Sequence, residues 1–223
     1  MGIVGFYDQF NLNNNYGVLP TNRTQVFNIA YSVELGNPTH DRILGGVING
    51  WQVSGILQWQ SGPNLSGFQG ENFGMTVNGA DIPGTNFLIS NVSILGTPDM
   101  QLNPILTCNP TANLAAHQYI NGSCFALPTQ VGQNGATILP PIYGPAFFDT
   151  DLGIFKNFKI RESKNLQIRA NAYNFLNHPL YSFNGTNLSL NYNAAGQMSS
   201  PLFGYADTKQ GSRIVQLAVK FMF

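Results

Sequence analysis

The chain has 223 residues, and its ten basic and ten acidic side chains leave no formal net charge at pH 7. Charged residues make up 9 % of the sequence, against roughly 25 % in an average soluble domain. The absence of a basic excess argues against a nucleic-acid partner. No stretch of the sequence approaches the roughly 20 consecutive apolar residues of a transmembrane helix.

The N-terminal segment lacks the features of a secretory signal, because it has neither a basic stretch nor a long apolar stretch. We therefore expect the chain to be the C-terminal part of a longer protein whose signal lies upstream. Residues 1–23 precede the first segment with a regular pattern, and we expect them to belong to an outer loop.

Residues 24–35 and 46–61 are the first segments in which apolar and polar residues alternate with the period of two of a β-strand. The second segment carries Trp51 and Trp59, whose separation corresponds to about 26 Å along a strand. This spacing suits the two aromatic girdles of a membrane-spanning barrel, although packing in the core of a soluble sandwich also explains the pair. Gln58 and Gln60 lie on the opposite face, and we predict that they face a lumen.

A connection of about 85 residues, 63–148, follows the second strand and is far longer than the loops of compact soluble domains. It contains the only two cysteines, Cys108 and Cys124, which would close a loop of about 17 residues. Their turn-like surroundings and an oxidising compartment favour a disulfide. A metal site is disfavoured, because His117 is the one further ligand nearby, and two Cys with one His is a weak zinc signal.

Aromatic residues in this connection lie among many Asn and Gly residues. They are Phe68, Phe73, Phe87, Tyr119, Phe125 and Tyr143. Aromatic rings beside amides suit a sugar-like or other polar organic ligand, but a loop that packs on itself would show the same composition. The sequence leaves both explanations open.

Residues 149–160 and 165–177 are the third and fourth alternating segments. Lys156 interrupts an otherwise apolar face of the third. Arg169 and Tyr173 lie on the polar face of the fourth, and we predict that they face the lumen. There they contact a plug or a substrate path, or are simply solvated.

Asp149 and Asp151 share the polar face of the third segment and could suggest a catalytic carboxylate pair. We expect them instead to pair with lumen cations such as Arg169 or Lys159. The sequence contains no serine nucleophile with a paired base, no glycine-rich phosphate loop and no zinc-protease motif. We therefore expect no catalytic residue, no metal and no cofactor.

Residues 213–223 form the fifth alternating segment, and the chain ends on an aromatic residue without a polar tail. Its apolar face consists of Val215, Leu217, Val219, Phe221 and Phe223. The length is that of a transmembrane strand of about 9–11 residues. The segment resembles the C-terminal signal that the barrel-assembly machinery of Gram-negative bacteria reads.

The connections alternate between short (36–45 and 161–164) and long (63–148 and 178–212). Short periplasmic turns and long extracellular loops are typical of outer-membrane barrels. Five strands cannot close, and an open edge cannot face lipid. The sequence thus predicts an all-β fold: an antiparallel transmembrane β-barrel portion of about five strands with long outer loops, incomplete on its own.

Residues 50–63, 144–158 and 166–179 resemble segments of TonB-dependent receptors of the Oar-like type, which are common in acidobacteria. The most specific match is 174–179, Asn-Phe-Leu-Asn-His-Pro, and the resemblance covers most of the chain except parts of 67–140. It implies that the whole chain, 1–223, is the C-terminal part of a 22-stranded barrel that encloses an N-terminal plug.

The expected function is that of an outer-membrane receptor that imports a scarce nutrient, a small molecule or an oligosaccharide. Its partners would be outer-membrane lipid, the barrel-assembly machinery, and the TonB system through a plug outside this sequence. A structural or adhesive barrel without a plug is one alternative. A soluble, secreted, glycan-binding β-sandwich, with its apolar faces packed against each other, is the other.

Overall fold

The computed structural model describes residues 8–66, 73–161 and 164–223. The chain divides into two compact units. The sheet unit comprises Thr24–Ser61, Ala146–Leu180 and Lys209–Phe223. The loop unit comprises Met1–Arg23, Gly62–Pro145 and Tyr181–Thr208.

Most regular elements are strands, and the helices are short. The strands are β1 (Val26–Glu34), β2 (Trp51–Gln60), β3 (Gly74–Val77), β4 (Ile105–Leu106), β5 (Phe125–Ala126), β6 (Phe147–Arg161), β7 (Lys164–Tyr173), β8 (Leu180–Ser182), β9 (Ser189–Tyr192), β10 (Thr208–Gln210) and β11 (Ile214–Met222). The α-helices are α1 (Arg42–Ile48) and α2 (Asn91–Leu95), and 3₁₀ helices span Leu12–Asn15 and Gly122–Cys124.

The sheet unit is built on one five-stranded sheet in the order β1-β2-β6-β7-β11, with every neighbouring pair antiparallel. These are the strands that the alternation predicted, so the all-β antiparallel fold is confirmed. The register aligns Val33, Val53, Ile154, Ala170 and Leu217 in one row across all five strands. Because partners in a row point to the same side of a sheet, the apolar sides of the strands coincide.

The predicted strand over 46–61 is wrong in its first residues, because α1 occupies them and β2 begins only at Trp51. The Asp41 carboxylate caps α1 by accepting from the backbone N–H groups of Ile43 and Leu44. Gly50 then takes a φ of +72° and turns the chain into β2. The connection predicted as a short turn over 36–45 therefore contains a helix.

The strand predicted over 165–177 ends early, at Tyr173. Asn174 has a φ of +48°, in the left-handed region that terminates a strand and that Asn adopts more readily than most residues. Residues 174–177 form a tight turn instead.

The loop unit contains the buried hydrophobic core of the described residues. The core comprises Leu65, Phe73, Ala80, Ile82, Ile89, Ile94, Leu102, Ile120, Phe125, Leu127, Leu139, Ile142, Leu190, Tyr192 and Phe203. The long connection that follows β2 is therefore a folded body with its own core. Strand β9, from the second long connection, pairs in parallel with β3 and contributes Leu190 and Tyr192 to that core.

The aromatic residues of the long connection divide between core and surface. Phe73 and Phe125 are buried, and both pack against the Phe203 ring with centroids 5.8 Å apart. Phe87 and Tyr143 are exposed. Phe68 lies outside the described residues. Packing of the loop on itself thus explains part of the aromatic content, and the exposed rings are free for another role.

Candidate membrane wall and outer-loop surface

Alternate residues of the five-stranded sheet form one apolar face. It comprises Phe27, Ile29, Tyr31, Val33, Trp51, Val53, Gly55, Leu57, Trp59, Phe148, Thr150, Leu152, Ile154, Lys156, Phe158, Ile160, Leu166, Ile168, Ala170, Ala172, Val215, Leu217, Val219 and Phe221. Val33, Ile154 and Leu217 from the shared row are 51 %, 36 % and 79 % exposed. A soluble sandwich buries such a face against a second sheet, so the sandwich alternative is wrong.

The C-terminal strand presents its apolar side as the sequence pattern implies. Val215, Leu217, Val219, Phe221 and Phe223 are each between 49 % and 93 % exposed. The rings of Phe221 and Phe223 lie 6.1 Å apart, centroid to centroid. A recognition protein would therefore find these side chains accessible along one side of β11.

Both tryptophans lie on the apolar face, near opposite ends of β2. Trp59 stands opposite Phe27 on β1 and Phe148 on β6, which makes a row of three aromatic residues at that end of the sheet. Trp51 stands opposite Lys156 at the other end. Amphipathic rings at the two ends of a membrane strand are the arrangement of an aromatic girdle, which remains our prediction for them.

The opposite, polar face holds the four predicted lumen residues. It comprises Val26, Asn28, Ala30, Ser32, Glu34, Gln52, Ser54, Ile56, Gln58, Gln60, Phe147, Asp149, Asp151, Gly153, Phe155, Asn157, Lys159, Asn165, Gln167, Arg169, Asn171, Tyr173, Ile214, Gln216, Ala218, Lys220 and Met222. The Arg169 guanidinium lies 5.0 Å from the centroid of the Phe155 ring, and the Tyr173 hydroxyl lies 3.5 Å from Gln216 Oε1. Amide, hydroxyl and charged side chains together outnumber the apolar ones on this face, which suits contact with water.

The ion pairs expected of Asp149 and Asp151 with Arg169 or Lys159 do not form among the described residues. Asp149 accepts from the backbone N–H of Thr150, and Asp151 accepts from that of Asn174 at 3.0 Å. The register explains the difference, because it places Arg169 opposite Phe155 and Lys159 opposite Asn165, further along the sheet. Asp151 therefore has a structural role at the end of β7.

The segment 174–179 ties three strands together at the end of the sheet. Asn174 is 6 % exposed; its side-chain amide donates to the carbonyls of His178 and Gly211, and its oxygen accepts from the backbone N–H of His178. The backbone N–H of Phe175 donates to the Thr150 carbonyl on β6 at 2.6 Å. The motif residue Asn174 thus links the end of β7 to the segments beside β6 and β11.

We expect Asn174→Ala to destabilise the sheet unit by about 2–4 kcal/mol, because it leaves buried groups unpaired and places a Cβ-only side chain in the left-handed region. Asn174→Gly keeps the backbone conformation and should cost less. Asn177→Ala is the matched control. Asn177 also has a positive φ but is exposed, and its side-chain oxygen accepts one 3.3 Å hydrogen bond, from the backbone N–H of Arg213. Urea unfolding followed by tryptophan fluorescence would rank the variants, and equal losses at 174 and 177 would contradict the assignment.

Cys108 and Cys124 form a disulfide in the loop unit, as the spacing predicts. The bond lies beside the β4–β5 pair, where Thr107 N–H donates to the Cys124 carbonyl at 2.8 Å. His117 stacks on Tyr181 with ring centroids 4.1 Å apart. Across residues 8–66, 73–161 and 164–223, no group of three or more His, Cys, Asp or Glu side chains is placed to hold a metal.

Two cavities in the loop unit have mixed polar and apolar walls. One of about 440 Å³ is lined by Asp8, Asn13, Asn14, Tyr16, Met100, Asn134, Gly135, Ala136, Thr137 and Ile138. The other, of about 450 Å³, is lined by Asp81, Pro83, Ile89, Phe125, Ala126, Leu127, Thr129, Tyr192, Ala194, Ala195, Gly196 and Met198. Three asparagines and one tyrosine line the first cavity.

Titratable groups of the loop unit reflect its internal packing. Hydrogen bonds from the Asn11 backbone and the Asn14 side chain hold the pKa of the Asp8 carboxyl below its usual value. Burial raises the pKa of Tyr192 to about 12, and its hydroxyl has no hydrogen-bond partner among the residues that the structure describes. Burial, with a smaller contribution from Tyr181, also raises the pKa of Tyr119. Asp8 therefore stays ionised at the wall of the first cavity.

Residues 2–216 match the family model of an outer membrane beta barrel domain. The chain belongs to this family. Its location is therefore the bacterial outer membrane. Barrels of the outer membrane turn an apolar face to lipid, and we expect the apolar face of this sheet to be that face. Comparisons with curated proteins and with solved structures found no match. Within the described part of the chain, no helix has the length and apolar character to cross a membrane.

Sequence reasoning missed two features of this barrel portion. It did not identify α1, although Ile43, Leu44, Val47 and Ile48 have the spacing of one helix face after the capping residue Asp41. It also treated the long connections as loops, although their recurrent Ile and Leu residues are typical of a buried core. The apolar runs in these connections are too short and irregular to show the period of a helix or of a strand.

Proposed function

We propose that this barrel portion belongs to a TonB-dependent receptor that captures and imports a nutrient, a small molecule or an oligosaccharide. The segment contributes barrel wall, outer-loop surface and the C-terminal assembly signal. The observation that carries the proposal is the loop unit: a long connection of an outer-membrane barrel is folded around its own core and closed by a disulfide. Such a body can hold a binding surface in a fixed shape.

The composition of the first loop-unit cavity favours an oligosaccharide or a similar polar ligand. Tyr16 is 88 % exposed and lines this cavity together with Asn13, Asn14 and Asn134. A ring supplies an apolar surface for stacking, and amides donate and accept hydrogen bonds to hydroxyl groups. The ionised Asp8 carboxylate at the same wall accepts from the Asn14 side chain at 2.7 Å and so holds that amide in place.

The remaining partners follow from the same proposal. A plug domain outside this sequence would couple the barrel to the TonB system. The barrel-assembly machinery would read the apolar side of β11 and Phe223. The chain's own residues would act by binding and not by catalysis, without a metal or cofactor.

Uptake measured in the native bacterium tests the proposal. Cells receive a panel of fluorescent oligosaccharides, with and without a protonophore and with and without the TonB protein. We expect accumulation of one ligand class to require both the proton gradient and TonB. Tyr16→Ala should weaken capture roughly fivefold, since a stacked ring contributes about 0.5–1.5 kcal/mol.

Phe10→Ala is the matched control, because Phe10 is also an exposed aromatic residue of the same segment and does not line the cavity. Binding at the cell surface without TonB-dependent accumulation would favour the alternative of an adhesive or structural barrel without a plug. Equal effects of the Tyr16 and Phe10 substitutions on capture would show that the ligand does not bind in this cavity.

A further inference from the structure

Helix α1 carries an apolar stripe that is exposed. Ile43, Leu44, Val47 and Ile48 share one helix face and are between 47 % and 82 % exposed. The Asp41 cap and the bonds between Thr39 and Asn49 fix the ends of the helix, so the stripe is held in place. A preformed apolar stripe of this kind requires an apolar partner.

Two side chains from the apolar face of the sheet hold α1. Lys156 Nζ donates to the Gly46 carbonyl at 2.6 Å, and the Trp51 indole N–H donates to the Val47 carbonyl at 2.8 Å. Both side chains point to the side of the sheet that meets lipid. The helix therefore lies at the margin of the lipid-facing surface, and not on the lumen side.

The contact with α1 also explains how a lysine is tolerated on that face. Lys156 is only 4 % exposed, and its ammonium lies 4.8 Å from the centroid of the Phe158 ring and 5.8 Å from that of Trp51. An unpartnered ammonium within a bilayer is costly. A helix carbonyl and two ring faces supply the partners that lipid cannot.

The position of α1 along the sheet places it near the periplasmic rim. In an antiparallel sheet the β1–β2 connection and the short β6–β7 turn emerge at the same end, and the long β2–β6 and β7–β11 connections emerge at the other. Outer-membrane barrels have short turns on the periplasmic side and long loops outside. The helix thus lies level with the phospholipid headgroups of the inner leaflet.

We propose that α1 is an interfacial anchor that lies in the headgroup region of the periplasmic leaflet, with its apolar stripe inserted at the acyl boundary and Lys156 as its tether. The occupant of the stripe is phospholipid, because the stripe continues the surface that already meets lipid. The inference depends on the outer-membrane location and not on the proposed import function.

Spin labelling of three matched valines tests the anchor. Val47 on α1, Val219 on the apolar face of β11 and Val131 in the loop unit are 64 %, 68 % and 77 % exposed, and each is replaced in turn by cysteine. Cys108 and Cys124 are joined to each other, so within residues 1–223 the nitroxide attaches only at the new site, and any cysteine outside them is replaced by serine. The protein, as the native bacterium produces it, is reconstituted in phosphatidylethanolamine–phosphatidylglycerol vesicles, and collisions with oxygen and with a water-soluble nickel complex are measured.

We expect the ratio of oxygen to nickel collisions at Val47 to be several-fold higher than at Val131 and somewhat lower than at Val219. A Val47 ratio equal to that at Val131 would place the helix in water and overturn the proposal. Protection of Val47 from both reagents would show that a protein surface, such as a second copy, covers the stripe instead. Frequent collisions of the Val219 label with the nickel complex would show that the apolar face of β11 meets water. That result would contradict both the lipid-facing assignment and the anchor.

Lys156→Met tests the tether separately, because it keeps the apolar stem and removes the hydrogen bond to Gly46. The Val47 label should become more mobile and lose its preference for oxygen, while the Val219 label remains unchanged. An unchanged Val47 label would show that Lys156 does not hold the helix. Absence of ligand uptake by the unmodified protein, with the label ratios as expected, would count against the import function alone.

Discussion

Leu217→Arg should destabilise the membrane-inserted barrel by about 2–4 kcal/mol, which is the cost of a cationic side chain at the lipid face near the bilayer midplane. Leu217 lies close to the middle of β11, is 79 % exposed and belongs to the apolar face. Urea titration of the barrel in phospholipid vesicles measures the loss. Both tryptophans of the chain lie in the sheet unit, so their fluorescence reports on this unit.

Gln216→Arg is the control for the Leu217 substitution. Gln216 neighbours Leu217 on the same strand, points to the polar face and stands opposite Asn171. A cation there remains solvated, so we expect a change within about 1 kcal/mol. Similar losses for the two variants would show that the two faces of β11 meet the same environment, which would contradict the lipid-facing assignment.

Replacement of both Cys108 and Cys124 by alanine should reduce the stability of the loop unit by roughly 3 kcal/mol. The bond closes a loop of about 17 residues, and in the unfolded chain a closed loop of that size lowers the conformational entropy by a corresponding amount. Opening of the unit would then become roughly a hundredfold more frequent. Limited proteolysis of the loop unit at low protease concentration measures the change, since cleavage follows the population of the open form when reclosing is fast.

Two controls separate the disulfide from other effects. Dithiothreitol should reproduce the increased cleavage in the unmodified chain and have no effect on the double variant. Tryptophan fluorescence should stay the same in all samples, because the tryptophans lie outside the loop unit. Unchanged cleavage after loss of the bond would show that the loop-unit core holds this segment without it.

The residues that alternate along each strand were sufficient to predict the sheet. A period of two assigns every side chain of a strand to one face, so the polar and apolar faces follow once the segments are found. The ends of the strands were less predictable. Tyr173 is followed by further apolar residues, and only the bonds of Asn174 to His178 and Gly211 reveal why β7 stops there.

The sequence by itself determined the five strands of the main sheet apart from their ends, the two faces of that sheet and the pairing of the two cysteines, because each depends on local pattern or on the number of available partners. Only the tertiary structure decided that the long connections fold around a common core. That core brings β3 beside β9, more than 110 residues apart in the chain. The tertiary structure also decided the partners of Asp151 and Lys156. The partner of Asp151 depends on the register between strands, and that of Lys156 is a carbonyl of α1. The local periodicity of the sequence encodes neither of them.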